Sequence, residues 1–211
     1  MITAVVFDCD GVLVDSEPIA DAVWAEVLAE RGYEMSQADG DACRGITEAA
    51  TYDYFSGRAD LLPYDEHMAA LDALRVPRFE EDLEAFPDAV DTVRALAAQG
   101  IPMAVASSSR RHALDAKLEI VGLGRYFDAV VGGDEVEHGK PAPDVYLEAA
   151  RRLGVTPSAC LAIEDSDNGA AAGVAAGMRT VMIRRDGSIS PTYASVTEVT
   201  AGLILSWMWR F

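Results

Sequence analysis

The sequence predicts an α/β fold, a Rossmann-like parallel sheet core carrying an inserted α-helical domain. Three features support this. Short apolar runs of strand length alternate with helical segments along most of the chain, as in βαβ units. Three of those helical segments stop at a glycine suited to a left-handed cap. Residues 16–86 break the pattern, with helical spacing and no β-branched strand run. A chain of 211 residues has room for one ordinary domain and such an insert.

The first strand is the all-apolar run Ala4–Phe7, as expected for a strand covered on both faces. From Ser16 the apolar residues Ile19, Val23, Trp24, Val27 and Leu28 fall on one helical face. The expected division is therefore a core of residues 1–15 and 87–211 and a helical cap of residues 16–86. A helix over 88–99 ends at Gly100, and residues 102–106 form the second strand. A further helix starts near Arg110, before a third strand at 129–131. Residues 144–153 are a helix ended by Gly154, 160–163 a strand, 169–176 a helix ended by Gly177, and 180–183 the fifth strand. Turn formers at 186–191 precede a less regular strand and helix. Right-handed crossovers make the sheet parallel. The insert leaves from the carboxyl end of strand one, where open α/β sheets bind ligands, so a cap there is expected to close over a substrate.

Composition narrows the partners. The chain has 35 acidic and 17 basic side chains, a formal charge of −18, which repels nucleic acid and anionic membranes. No nucleic-acid or membrane partner is expected. Cys9, Cys43 and Cys160 are widely spaced and form no CxxC, as for reduced thiols in a cytoplasmic protein. The N-terminal apolar run meets Asp8, Asp10 and Asp15 at once, which reads as a buried strand and not a signal peptide. The apolar stretch at 201–208 is far short of the roughly 20 residues that span a bilayer. A monomer or weak dimer is expected. Only Lys117 and Lys140 are lysines, so chemistry that needs an ammonium has few places to go.

The candidate chemistry sits at strand ends. Asp8 and Asp10 follow strand one two residues apart and would repel each other unless a cation or shared proton relieved them. Gly11 allows the sharp turn that projects both acids into one site; an acidic strand-end turn is the plain structural alternative. Ser107, Ser108 and Ser109 lead into a helix, where hydroxyls and free amides make an anion site, although capping alone accounts for one serine. Lys140 lies between Gly139 and Pro141 before a proline-started helix, better fixed than an ordinary surface lysine. Glu164 and Asp165 end the fourth strand and offer hard oxygen donors suited to Mg2+.

Together these stretches, Asp8-Cys9-Asp10-Gly11-Val12-Leu13-Val14-Asp15-Ser16-Glu17, Ala106-Ser107-Ser108-Ser109, Gly139-Lys140-Pro141-Ala142-Pro143-Asp144 and Ile163-Glu164-Asp165-Ser166, resemble the haloacid dehalogenase superfamily. The branch they resemble holds the β-phosphoglucomutase-like phosphatases with a helical cap, and the likeness runs over residues 1 to about 185. The resemblance implies a hydrolase acting on a small phosphorylated sugar or related metabolite. Asp8 would be the nucleophile, forming an aspartyl-phosphate, and Asp10 the general acid and base. Mg2+ would be held by Asp8, the backbone carbonyl of Asp10 and Asp165, with Glu164 supporting. Ser107, Ser108 and Lys140 would bind the phosphate. Glu17, Arg44 and Gly45 would select the substrate, though a first-turn acid and a solvated arginine are equally ordinary features.

Two alternatives remain open. Phosphosugar mutases of this branch carry a cap histidine and a cap lysine, whereas position 20 is Ala and residues 16–86 hold no lysine; Arg110-Arg111 also replace the mutases' Lys-Asn pair. A dehalogenase is disfavoured by the presence of Asp10 and Asp165. A phospho-receiver or regulatory binding module groups acids, a hydroxyl and a lysine on a parallel sheet, but lacks a long helical insert and the paired aspartates of strand one. His67, His112 and His138 have no metal-binding spacing, and Trp24, Trp207 and Trp209 read as packing residues.

Overall fold

The computed structural model describes residues 1–43 and 48–208. Strands β1 (Ala4–Phe7) and β2 (Val14–Asp15) lead into helices α1 (Glu17–Ala29), α2 (Gln37–Cys43), α3 (Glu48–Ser56) and α4 (Tyr64–Asp82). The chain returns through β3 (Glu84–Ala85), α5 (Pro87–Ala98), β4 (Met103–Ala106), α6 (Arg111–Ile120) and β5 (Ala129–Val131). It finishes with α7 (Asp144–Leu153), β6 (Cys160–Glu164), α8 (Asp167–Ala175), β7 (Arg179–Ile183), β8 (Ser195–Val196) and α9 (Ala201–Met208).

The main sheet has the order β5-β4-β1-β6-β7-β8 with every pair parallel, the α/β core the sequence predicts. β1 is central, and its four side chains are wholly buried, which is why it carries no polar alternation. Phe7 is in register with Val105 on one side and Ile163 on the other, so the residues following β1, β4 and β6 emerge at one edge. Gly100, Gly154 and Gly177 have φ of 67°, 70° and 80°, the left-handed conformation expected at these helix ends. α8 starts at Asp167, two residues before the predicted helix, because the Ser166 hydroxyl caps it by accepting from Gly169 N–H at 3.1 Å.

The chain divides into two compact units, Met1–Asp15 with Glu84–Phe211, and Ser16–Leu83. Residues 84–86 go with the first unit, where β3 pairs antiparallel with β2 in a separate two-stranded ribbon, Val14 opposite Ala85, and Phe86 N–H donates to the Leu13 carbonyl at 3.0 Å. Two-residue strands carry no periodicity, so this ribbon has no signal in the sequence. In the second unit α1 buries Ile19, Val23, Trp24, Val27 and Leu28, the predicted face. Trp24 stacks on Phe55 at 5.3 Å and lies against His67, as a packing residue does. At the end of the chain, β8 extends the sheet. Val199 joins α5 through Thr92, whose hydroxyl donates to its carbonyl at 2.9 Å, and Asp88, whose carboxylate accepts from its N–H at 2.8 Å.

Candidate active site

Asp8 continues the β1 ladder, donating its N–H to the Ile163 carbonyl at 2.9 Å, and is buried. The chain then reverses, with the N–H groups of Leu13 and Val14 both directed to the Cys9 carbonyl at 2.8 and 3.1 Å. Gly11 sits in this turn with φ +73°. A Cβ there would lie 2.0 Å from Asp165 Oδ2, so the glycine serves both the turn and the close approach of Asp165. Arg185, just past β7, pins the loop from outside by donating to the carbonyls of Gly11 and Val12 at 3.1 and 2.9 Å. Its guanidinium stacks over Phe86 at 3.5 Å and pairs with Asp88 at 3.0 Å.

Lys140 is the centre of the buried charge. Its ammonium donates to Asp8 Oδ1 at 2.8 Å, to the Ala106 carbonyl at 3.0 Å and to Glu164 Oε1, so all three protons are used. Glu164 is wholly buried and further accepts from the Tyr146 hydroxyl at 2.6 Å, from Asp165 N–H at 3.2 Å and from the Ser166 hydroxyl at 3.3 Å. A Cβ at Gly169 would fall 2.0 Å from this carboxylate, so a glycine is needed there too. Burial alone would push the Lys140 ammonium down, but the Asp8 and Glu164 carboxylates outweigh it and hold it above its ordinary range. Burial pushes the Asp8 carboxyl up to about 7, with Glu164 and Asp10 adding to the rise and Lys140 opposing it. Asp165 is also raised, by burial first and by Asp8 and Glu164 next.

Asp10 is held by a second cluster, of which the sequence marks the serines but not the lysine. Ser109 Oγ donates to Asp10 Oδ2 at 2.9 Å, and Ser107 Oγ reaches the same oxygen at 3.5 Å. Lys117, seven residues into α6, donates to Asp10 Oδ1 at 2.5 Å and to Ser109 Oγ at 3.0 Å. Both lysines of the chain thus meet a carboxylate of the Asp8–Asp10 pair. The serines do not cap α6, whose capping position is Arg110; Ser107 Oγ instead accepts from Ser109 N–H at 3.0 Å. Ser108 is exposed. The structure therefore brings Asp8, Asp10, Ser107, Lys140, Glu164 and Asp165 to one edge of the sheet and adds Ser109, Lys117 and Tyr146. Glu17 opens α1 in the second unit, and Arg44 and Gly45 lie outside the described residues.

One oxygen each from Asp8, Glu164 and Asp165 lie within 4.8 Å of one another. These are hard donors, and Asp8 and Asp165 are raised by burial first and by neighbouring carboxylates next, a cost of ionisation that a bound divalent cation would offset. Both Glu164 oxygens already accept from protein donors, so of the three carboxylates Glu164 has the least acceptor capacity left to offer a cation.

Residues 2–177 match the family model described as haloacid dehalogenase-like hydrolase. The chain belongs to the haloacid dehalogenase-like hydrolase family. It is therefore an enzyme of the kind its motifs resemble, and the receiver-module alternative falls away. Two Escherichia coli relatives of this hydrolase are similar over nearly their whole length. Fructose-1-phosphate phosphatase YqaB is 37% identical over 184 residues, covering 85% of this chain and 95% of its own. Hexitol phosphatase B is 31% identical over 214 residues, covering 95% of each. Among solved structures, CbbY from Rhodobacter sphaeroides in complex with phosphate superposes with a TM-score of 0.84 at 25% identity, covering 94% of this chain and 95% of that one.

Proposed function

We propose that this hydrolase is a Mg2+-dependent phosphatase acting on a small sugar phosphate or related phosphorylated metabolite through an aspartyl-phosphate at Asp8. The observation that carries the reading is the buried Lys140 ammonium, which bridges Asp8 and Glu164 beside Asp165. Asp8 attacks phosphorus, and the leaving alkoxide takes a proton from Asp10. Asp10 then accepts a proton from water as the aspartyl-phosphate is hydrolysed. Ser107 and Lys140 hold the non-bridging oxygens, Lys140 by turning one of its three donors from a protein acceptor to the phosphate, with Ser108 available through its backbone. Mg2+ would be held by Asp8, Asp165 and the Asp10 backbone carbonyl, with Glu164 behind them, and when bound it neutralises the charge that would repel a phosphate dianion.

Water as final acceptor, in preference to a second sugar hydroxyl, is supported by Ala20 and by the absence of lysine from residues 16–83. The named activities of the two Escherichia coli relatives support hexose and hexitol phosphates as the first substrates to try. Glu17, Arg44 and Gly45 are assigned to substrate selection. Free Cys9, Cys43 and Cys160 support a reducing, cytoplasmic compartment, and no helix among the described residues is long and apolar enough to cross a membrane. The test is phosphate release from a panel of hexose and hexitol phosphates, with Mg2+ and with EDTA, for wild type and Arg44→Ala. Turnover that needs Mg2+ and a changed substrate ranking in Arg44→Ala are expected. No release from any of the panel, or release that EDTA leaves intact, contradicts the reading.

A further inference from the structure

Lys117 stands on the face of α6 that buries Ala113, Leu114 and Leu118. An ammonium taken out of water on such a face must find acceptors inside the protein. Its side chain is 4% exposed, and its acceptors include one oxygen of Asp10 and the Ser109 hydroxyl. The Ser109 hydroxyl in turn donates a hydrogen bond to the other oxygen of Asp10 at 2.9 Å. Each carboxylate oxygen is thus held by a different donor, and the two donors hold each other. A carboxylate with one hydrogen bond can swing about its side-chain torsions; one gripped at both oxygens has a single orientation. The Asp10 side chain is nonetheless 33% exposed, so it is fixed from behind and open in front.

We propose that Lys117 is a positioning residue for Asp10, fixing directly and through Ser109 the carboxylate that serves as base in the hydrolysis of the aspartyl-phosphate. This rests on the phosphatase reading above. In that step a water proton passes to Asp10, the water oxygen bonds to phosphorus, and the bond from phosphorus to the Asp8 oxygen breaks with its electron pair returning to the Asp8 carboxylate. A base held in line with the water saves the cost of orienting it in the transition state. Neither Lys117 nor Ser109 need touch phosphate for this.

The test uses p-nitrophenyl phosphate, whose leaving group departs without a proton from Asp10, so that the second step is isolated. In rapid-mixing experiments with Mg2+, Lys117→Met is expected to release about one equivalent of p-nitrophenolate per enzyme in a burst larger than that of wild type. The steady rate that follows falls about 10- to 100-fold. KM falls with kcat, leaving kcat/KM within about threefold of wild type. Lys117→Arg keeps a cationic donor and restores part of the steady rate. Ser109→Ala, which strands no buried charge, carries the same expectation if Lys117→Met does not fold. Equal losses of kcat and kcat/KM without a burst, or wild-type kinetics in both Lys117→Met and Ser109→Ala, overturn the proposal. Wild-type enzyme that releases no p-nitrophenolate with Mg2+ overturns the phosphatase reading and this inference with it, whereas normal wild-type turnover with no burst in the variants overturns this inference alone.

Discussion

Replacing Gly11 by alanine tests whether the loop after β1 is shaped for the approach of Asp165. The new Cβ would start 2.0 Å from Asp165 Oδ2 and 2.6 Å from its Cγ. Ordinary contact begins near 3.4 Å, so from 2.0 Å the carboxylate must retreat by about 1.4 Å or the loop must move by as much. The backbone at φ +73° adds a left-handed penalty of about 1–2 kcal/mol for alanine. In a domain of this size that penalty lowers the melting temperature by roughly 2–8 °C. A displacement of more than 1 Å at a reacting centre costs on the order of 100-fold. Gly122→Ala supplies the control, because Gly122 has φ +68° with nothing within 4 Å of its added Cβ. The assays are thermal unfolding and the Mg2+ dependence of phosphate release. Gly11→Ala is expected to lose kcat/KM and Mg2+ affinity about 100-fold, while Gly122→Ala loses stability alone. Equal activity in the two variants would refute the reasoning.

Two more outcomes follow from the buried charges. Lys140→Met strands the carboxylates of Asp8 and Glu164, 9% and 0% exposed, and is expected to cost about 3–5 kcal/mol, a fall of the order of 10 °C in melting temperature that Mg2+ partly restores. A variant as stable as wild type in EDTA would show that the bridge is dispensable. The pH dependence has a definite sign. Asp8 is raised from 3.8 to about 7 in the metal-free fold, and Asp165 is raised too, so the folded state holds these protons where the unfolded chain has lost them. That contribution is complete below about pH 4 and is lost as pH rises through about 7, an effect of a few kcal/mol at most. Melting in EDTA should therefore weaken from about pH 5 to 8, and Mg2+, which favours the ionised forms, should stabilise more at pH 8 than at pH 5. A flat or rising EDTA profile over that range would contradict the assigned burial of these acids.

The sheet and the positions of most of the candidate site residues are legible because both are written locally. Parallel strands covered on both faces read as unbroken apolar runs, and Asp8, Ser107 and Glu164 each follow one of them directly. Lys140 was legible from the Gly and Pro around it. Lys117 was not, because it lies inside a helix where its spacing from Ala113, Leu114 and Leu118 resembles that of any residue on a buried face. Its scarcity was the one available signal, since only two lysines occur in the chain. Ser109 was hidden for a different reason: which of three consecutive hydroxyls meets Asp10 depends on how the chain turns between β4 and α6, and that turn is set by contacts with distant segments. Ser107 N–H, for example, donates to the Val131 carbonyl at 3.0 Å and Gly133 N–H to the Ser109 carbonyl at 2.8 Å. The formal charge of −18 argues against anionic partners in bulk and says nothing of where the two ammonium groups stand, Lys140 beside Asp8 and Lys117 beside Asp10.

The nucleophilic role of Asp8 is open to direct measurement. Wild-type enzyme turning over a hexose phosphate with Mg2+ is quenched in acid and its intact mass and peptides are determined. A fraction of the protein should carry one acid-stable, hydroxylamine-labile phosphoryl group on the peptide containing Asp8, and Asp8→Asn should carry none and release no phosphate while still unfolding in a cooperative thermal transition. Phosphate release by Asp8→Asn at the wild-type rate, or a phosphoryl group on any other residue, would contradict the mechanism.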